Sequence, residues 1–158
     1  MINASPLILL SRGGHPKLLR PFARRIFVPQ PVADEALRRG QQQQDPTARA
    51  LAETDWLQVA SVPPIPETIL AWALGPGESA VLGLALTTPR MVAIIDDPAG
   101  RKCAHGHGIP VRGTLGIILA AKKTGVIPLA RPVMEEFIRA GLYLSRSVLD
   151  EALRRMGE

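Results

Sequence analysis

Short apolar runs alternate with longer amphipathic stretches from one end of the chain to the other. The runs at 1–3, 26–28, 57–60, 92–95 and 109–111 have the length and apolar content of strands covered on both faces. Apolar spacing near 3.6 predicts helices over 17–23, 31–39, 46–54, 67–74, 78–87, 114–124, 132–140 and 147–156. In the last of these, Val148, Leu149, Ala152, Leu153 and Met156 fall on a single stripe, and Ser147 with Asp150 forms a capping pair at its start. Gln41 to Gln44, ahead of Asp45 and Pro46, read as a polar loop between helices.

Strands alternating with helices predict right-handed crossovers and a mainly parallel sheet. The expected fold class is therefore α/β, a three-layer α/β/α sandwich around a short-stranded central sheet, with residues 1–158 as one domain. In such sheets ligands bind beyond the carboxyl ends of the strands, and polar residues there come first as candidates for chemistry.

Composition narrows the field. An apolar content of 46% over 158 residues supports one core of ordinary size. No apolar run approaches the roughly 20 residues of a membrane span, so no membrane partner is expected. The apolar patch at 6–10 has no basic segment before it and no small-residue cleavage site after it, unlike a secretory leader. Cys103 is alone, which excludes an internal disulfide and agrees with a reducing cytoplasm. Net charge is +5, with basic residues gathered at Arg12, Lys17, Arg20, Arg24, Arg25, Arg38 and Arg39 and again at Arg112, Lys122 and Lys123. Such a balance favours polyanionic partners, although solvated helix faces have the same look. Three Phe, two Trp and one Tyr are too few for a base-stacking platform.

The acids fall at informative places. Asp96 and Asp97 directly follow the apolar run 92–95, at the carboxyl end of an expected central strand. Asp97 before Pro98 has the look of a helix N-cap, which leaves Asp96 without a role. Glu78 is in phase with Val81, Leu82, Ala85 and Leu86, on the buried side of its helix, where a carboxylate needs a partner or a metal. It also stands in a first turn after Gly75, Pro76 and Gly77, where the helix dipole favours an ordinary acid facing water. Glu35 has Arg38 and Arg39 three and four residues on, the spacing of surface ion pairs. Asn3 ends the first run and either caps the following helix or offers an oxygen ligand. Arg101 is placed to neutralise Asp97 or to meet a phosphate. Thr114 after Gly113 opens an apolar helix, as its N-cap or as an anion site.

Together these stretches resemble a subfamily of prokaryotic PIN-domain proteins. The resemblance is carried by Asn3-Ala4-Ser5-Pro6-Leu7-Ile8, Val28-Pro29 with Val32 and Glu35, Gly77-Glu78, Ile95-Asp96-Asp97 with Arg101, Gly113-Thr114-Leu115-Gly116, and Gly141-Leu142 with Ser145. It runs nearly end to end. It implies a ribonuclease whose acidic residues hold Mg²⁺ or Mn²⁺ at one end of a parallel sheet, with RNA as substrate. It further implies a small antitoxin protein as partner and a homodimer. By the match, Asn3 stands in place of the usual first aspartate, Glu35 is the second acid, Glu78 the third and Asp96 or Asp97 the fourth; Ser5, Arg101 and Thr114 lie on the substrate side. The neutral asparagine leaves one metal charge unanswered.

Overall fold

The computed structural model describes residues 1–39 and 45–158; the expected glutamine loop falls outside the described residues. Strands β1 (Ile26–Pro29) and β2 (Leu57–Ala60) pair in parallel with Ile26 opposite Leu57, and β3 (Ala93–Ile94) and β4 (Val111–Arg112) pair in parallel with Ala93 opposite Val111. The opening residues join the two pairs. Ile2 donates its N–H to Phe27 O at 3.1 Å, Asn3 donates to Ile94 O at 2.9 Å, and Ile94 donates to Met1 O at 2.8 Å. The result is an α/β/α arrangement ordered β2, β1, the segment 1–3, β3, β4, with Ile2 bridged in parallel to Ile94.

Helix α1 (Ala4–Arg12) follows the opening segment at once and buries Leu7, Ile8 and Leu10. Nothing in the apolar spacing marked it as a helix, because it is buried on most sides and lacks a polar stripe. Helices α2 (Gln30–Arg39), α3 (Pro46–Glu53) and α5 (Pro76–Thr87) lie close to their expected places. Asp45 caps α3 by accepting the Thr47 N–H at 2.7 Å.

Elsewhere the sequence expectation is corrected. The helix expected over 17–23 is a single 3₁₀ turn, Pro16–Leu19, because Pro21 has no N–H to continue a helix. The helix expected over 67–74 is only α4 (Glu67–Leu70), which ends in a turn with Ala73 at a φ of +49°. Helix α6 (Pro98–Gly106) was foreseen only through Asp97 as its cap, and Asp97 does accept the Gly100 N–H at 2.7 Å. The strand expected at 109–111 begins later, since Ile109 donates back to Ala104 O at 2.8 Å as part of the α6 ending, and Pro110 has no N–H for a ladder. Helices α7 (Thr114–Lys123), α8 (Ala130–Arg139) and α9 (Arg146–Arg155) complete the chain. The cap of α9 is Ser145, which accepts the Val148 N–H, and not Ser147.

Buried residues from all layers, among them Leu7, Val28, Leu82, Ile95, Ile118 and Phe137, form one contiguous cluster. Among the described residues no helix is long and apolar enough to cross a membrane.

Candidate functional site

Asn3 leaves the sheet at its carboxyl end and stands at the N-cap position of α1, yet its side chain makes no cap hydrogen bond. It turns instead to α5, where Asn3 Nδ2 donates to Glu78 Oε1 at 2.7 Å. The carboxylate fixes the orientation of the amide, because only the nitrogen has protons to give. Asn3 Oδ1 is then left buried with no hydrogen-bond partner. A buried acceptor in that state costs about 1–3 kcal/mol, so the site favours an electropositive visitor beside it.

Glycines bring the surrounding acids close. A Cβ on Gly77 would stand 2.9 Å from Asn3 Oδ1 and 3.2 Å from Glu35 Oε2, so both oxygens converge over the bare Gly77 backbone. A Cβ on Gly75 would collide with Glu78 Oε2. A Cβ on Gly100 would meet Asp97 Oδ2 at 3.5 Å and the Glu78 Cγ at 3.6 Å, which puts Asp97 across Gly100 from Glu78. None of these three glycines has a positive φ; their contribution is the space left by a missing side chain.

Glu35, on α2, divides its two oxygens. Oε1 takes the Arg39 guanidinium at 2.8 Å, the ion pair its spacing predicts, while Oε2 faces Gly77 and Asn3. Glu35 and Glu78 line a cleft of about 670 Å³ together with Asp34, Arg38 and Arg39. Sequence spacing makes the two arginines ion-pair partners of Glu35 and members of the basic group that favours polyanions. Their place in the cleft follows from the same helical phase and was not drawn from it.

Asp96 looks the other way. Its Oδ1 accepts the Thr114 N–H at 2.7 Å and its Oδ2 the Thr114 hydroxyl at 2.6 Å. Gly113 holds the N-cap position of α7 and has no side chain to cap with, so Asp96 reaches over from the end of β3 to serve α7. Thr114 is thus the first residue of its helix and not its cap. Arg101 Nη1 donates to Ile95 O at 3.3 Å and lines a second cleft, of about 430 Å³, with Asp96 and Arg112. Among the described residues it makes no ion pair with Asp97. Ser5 stands half-buried in the first turn of α1.

The structure therefore gathers Asn3, Glu35 and Glu78, sets Asp97 at their edge, and separates Asp96. Among the described residues no three His, Cys, Asp or Glu side chains group as a metal site by themselves. The fit to a cation depends on the unpartnered Asn3 oxygen near Glu35 Oε2, with the Glu78 carboxylate on the amide side of the same residue. These are hard oxygen donors, matched to Mg²⁺ or Mn²⁺ rather than to a soft metal.

No curated protein and no solved structure matches the chain significantly. A family model described as a PIN domain matches residues 1–158, and the chain belongs to the PIN-domain family.

Proposed function

We propose that this protein is a metal-dependent endoribonuclease that hydrolyses RNA phosphodiester bonds at the Asn3–Glu35–Glu78 cluster. The observation that carries the reading is the buried, unpartnered Asn3 Oδ1 beneath Gly77, next to Glu35 and Glu78, the two carboxylates that line the adjoining cleft. Asn3, Glu35 and Glu78 hold Mg²⁺ or Mn²⁺, with Asp97 as an outer carboxylate. Mg²⁺ keeps several of its waters and needs few protein carboxylates, so this small set suffices. When bound, such an ion polarises a phosphate oxygen and lowers the pKa of a bound water. The remaining work falls to the chain's own groups. Arg38 and Arg39 offer guanidiniums to the phosphate backbone in the same cleft. Ser5, in the first turn of α1, and Arg101, in the second cleft, take substrate further from the ion. Asp96 and Thr114 brace one another and fix the end of β3 against α7.

In this reading the protein acts in the cytoplasm as a homodimer, and a small antitoxin protein covers the cleft. The test is cleavage of structured RNAs with Mn²⁺ by the unaltered protein and by Glu78→Gln. Activity lost in the variant is the expected result; equal activity in both removes the catalytic role. A second reading, a binding module that lost catalysis, is favoured by the neutral Asn3 amide already committed to Glu78. It predicts no cleavage by the unaltered protein and cleavage by Asn3→Asp.

A further inference from the structure

Away from the acidic cleft, where the chain enters β1 and β3, lies a cavity of about 220 Å³ lined by Arg25, Arg90 and Arg112. Arg25 immediately precedes β1, and Arg90 stands in the turn that leads to β3. No acidic side chain lines the cavity, and among the described residues none of these arginines has an ion-pair partner. All three are exposed, and cations placed around one cavity without a counter-charge favour an anion there. The floor is different in character. Phe22, Ile94 and Ile117 contribute to it, and the Arg112 guanidinium lies over the Phe22 ring at 5.1 Å from its centroid. That stacking holds the fork of Arg112 in place before any ligand arrives.

Arg90 adds an independent sign. It follows Pro89 with a φ of +63°, a left-handed conformation that suits glycine and strains a residue with a Cβ. A turn of this kind would be more stable with glycine, so the arginine is held there at some cost to the turn.

We propose that this cavity is an anion-binding site for an organic phosphomonoester, the guanidiniums taking the phosphate and the apolar floor the group that carries it. The site goes beyond ribonuclease chemistry and does not depend on it. A free nucleotide and the 5′-phosphorylated end of an RNA strand share this chemistry.

Calorimetric titration of the full chain tests the proposal with adenosine 5′-monophosphate, inorganic phosphate, and one oligoribonucleotide with and without its 5′-phosphate. Expected is saturable binding of the nucleotide, tighter than inorganic phosphate and weakened about tenfold or more by Arg25→Gln. Arg112→Lys, which keeps the charge and loses the fork, weakens it about threefold or more. Arg90→Gly is the decisive variant: its melting temperature stays level or rises while its nucleotide affinity falls about tenfold. Preference for the phosphorylated oligonucleotide supports the site with a strand end as ligand; nucleotide binding without that preference supports it with a free nucleotide. Undiminished binding in both Arg25→Gln and Arg90→Gly, or no nucleotide binding by the unaltered protein at millimolar concentration, overturns the proposal.

Discussion

Asn3 and Glu78, 75 positions apart in the chain, meet in a 2.7 Å hydrogen bond from amide to carboxylate. An aspartate at position 3 cannot make that bond, and it places a second negative charge against Glu78. In the absence of a divalent cation, Asn3→Asp is expected to lose about 1.5–3 kcal/mol. That corresponds to a melting temperature lower by several degrees in chelator. Saturating Mn²⁺ reverses the order of gain, raising the variant more than the unaltered protein, since the ion binds only the folded arrangement. Thermal melts with and without Mn²⁺ decide it: equal cation shifts in both proteins would remove position 3 from the metal site.

Gly77 and Gly116 are both helical glycines, and alanine is expected to act oppositely at the two. At Gly77 the new methyl would press on Asn3 Oδ1 at 2.9 Å and Glu35 Oε2 at 3.2 Å, so Gly77→Ala displaces the site oxygens and lowers cleavage about tenfold or more. At Gly116, within α7, a Cβ meets nothing within 4 Å, and Gly116→Ala should stabilise by about 0.5–1 kcal/mol. Denaturant unfolding and an RNA cleavage assay on the same two proteins separate space-making from conformational freedom.

Asp45 links α1 to α3. It is buried, caps α3 through Thr47, and accepts the Arg12 guanidinium at 2.7 Å. Burial pushes its carboxyl up, but the hydrogen bond from the Thr47 backbone N–H and the Arg12 guanidinium outweigh this and hold it below the ordinary aspartate value of 3.8. A carboxyl held low in the folded chain binds its proton more weakly there than when unfolded. Its stabilisation is complete above that ordinary value and is lost as pH falls through the lower folded one. Asp45→Ala is therefore expected to cost about 1–3 kcal/mol at neutral pH, with the gap to the unaltered protein closing in acid. Urea titrations at pH 7 and pH 3 measure it, and a gap that widens in acid contradicts the assignment.

What the sequence made legible follows the reach of local signals. β2 stands where its apolar run ends, and α2, α5 and α7 start or stop within two residues of the periodic pattern. α1 escaped notice because a helix buried on most sides has no polar face to create a period. At the site, the phase of Glu78 with Val81 and Leu82 pointed it inward, and the structure does place it against buried Asn3. Of the two adjacent aspartates, the cap role of Asp97 was legible and the role of Asp96 was not. Asp97 caps its own helix, a local relation, whereas Asp96 serves Thr114 eighteen positions on, a relation set by how β3 and α7 pack. Glycines as space for carboxylates were equally hidden, since that space exists only once distant segments meet.

Asp96 and Thr114 supply the clearest test of these roles. Both Asp96 oxygens are occupied by Thr114, so the pair should behave as one structural unit. Asp96→Asn replaces a charge-assisted bond with a weaker one. Thr114→Val removes the hydroxyl donor and leaves a carboxylate oxygen half-buried without it. Each change alone is expected to cost about 1–3 kcal/mol, and the double variant less than their sum by about 0.5–2 kcal/mol. Glu78→Gln, by contrast, should add independently to either, because Glu78 bonds to Asn3 and shares no partner with Thr114. Unfolding free energies of the four proteins of the cycle, measured in chelator, give the coupling directly. A coupling near zero between Asp96 and Thr114, joined to a large loss of Mn²⁺ affinity in Asp96→Asn, would make Asp96 a metal ligand and not a brace.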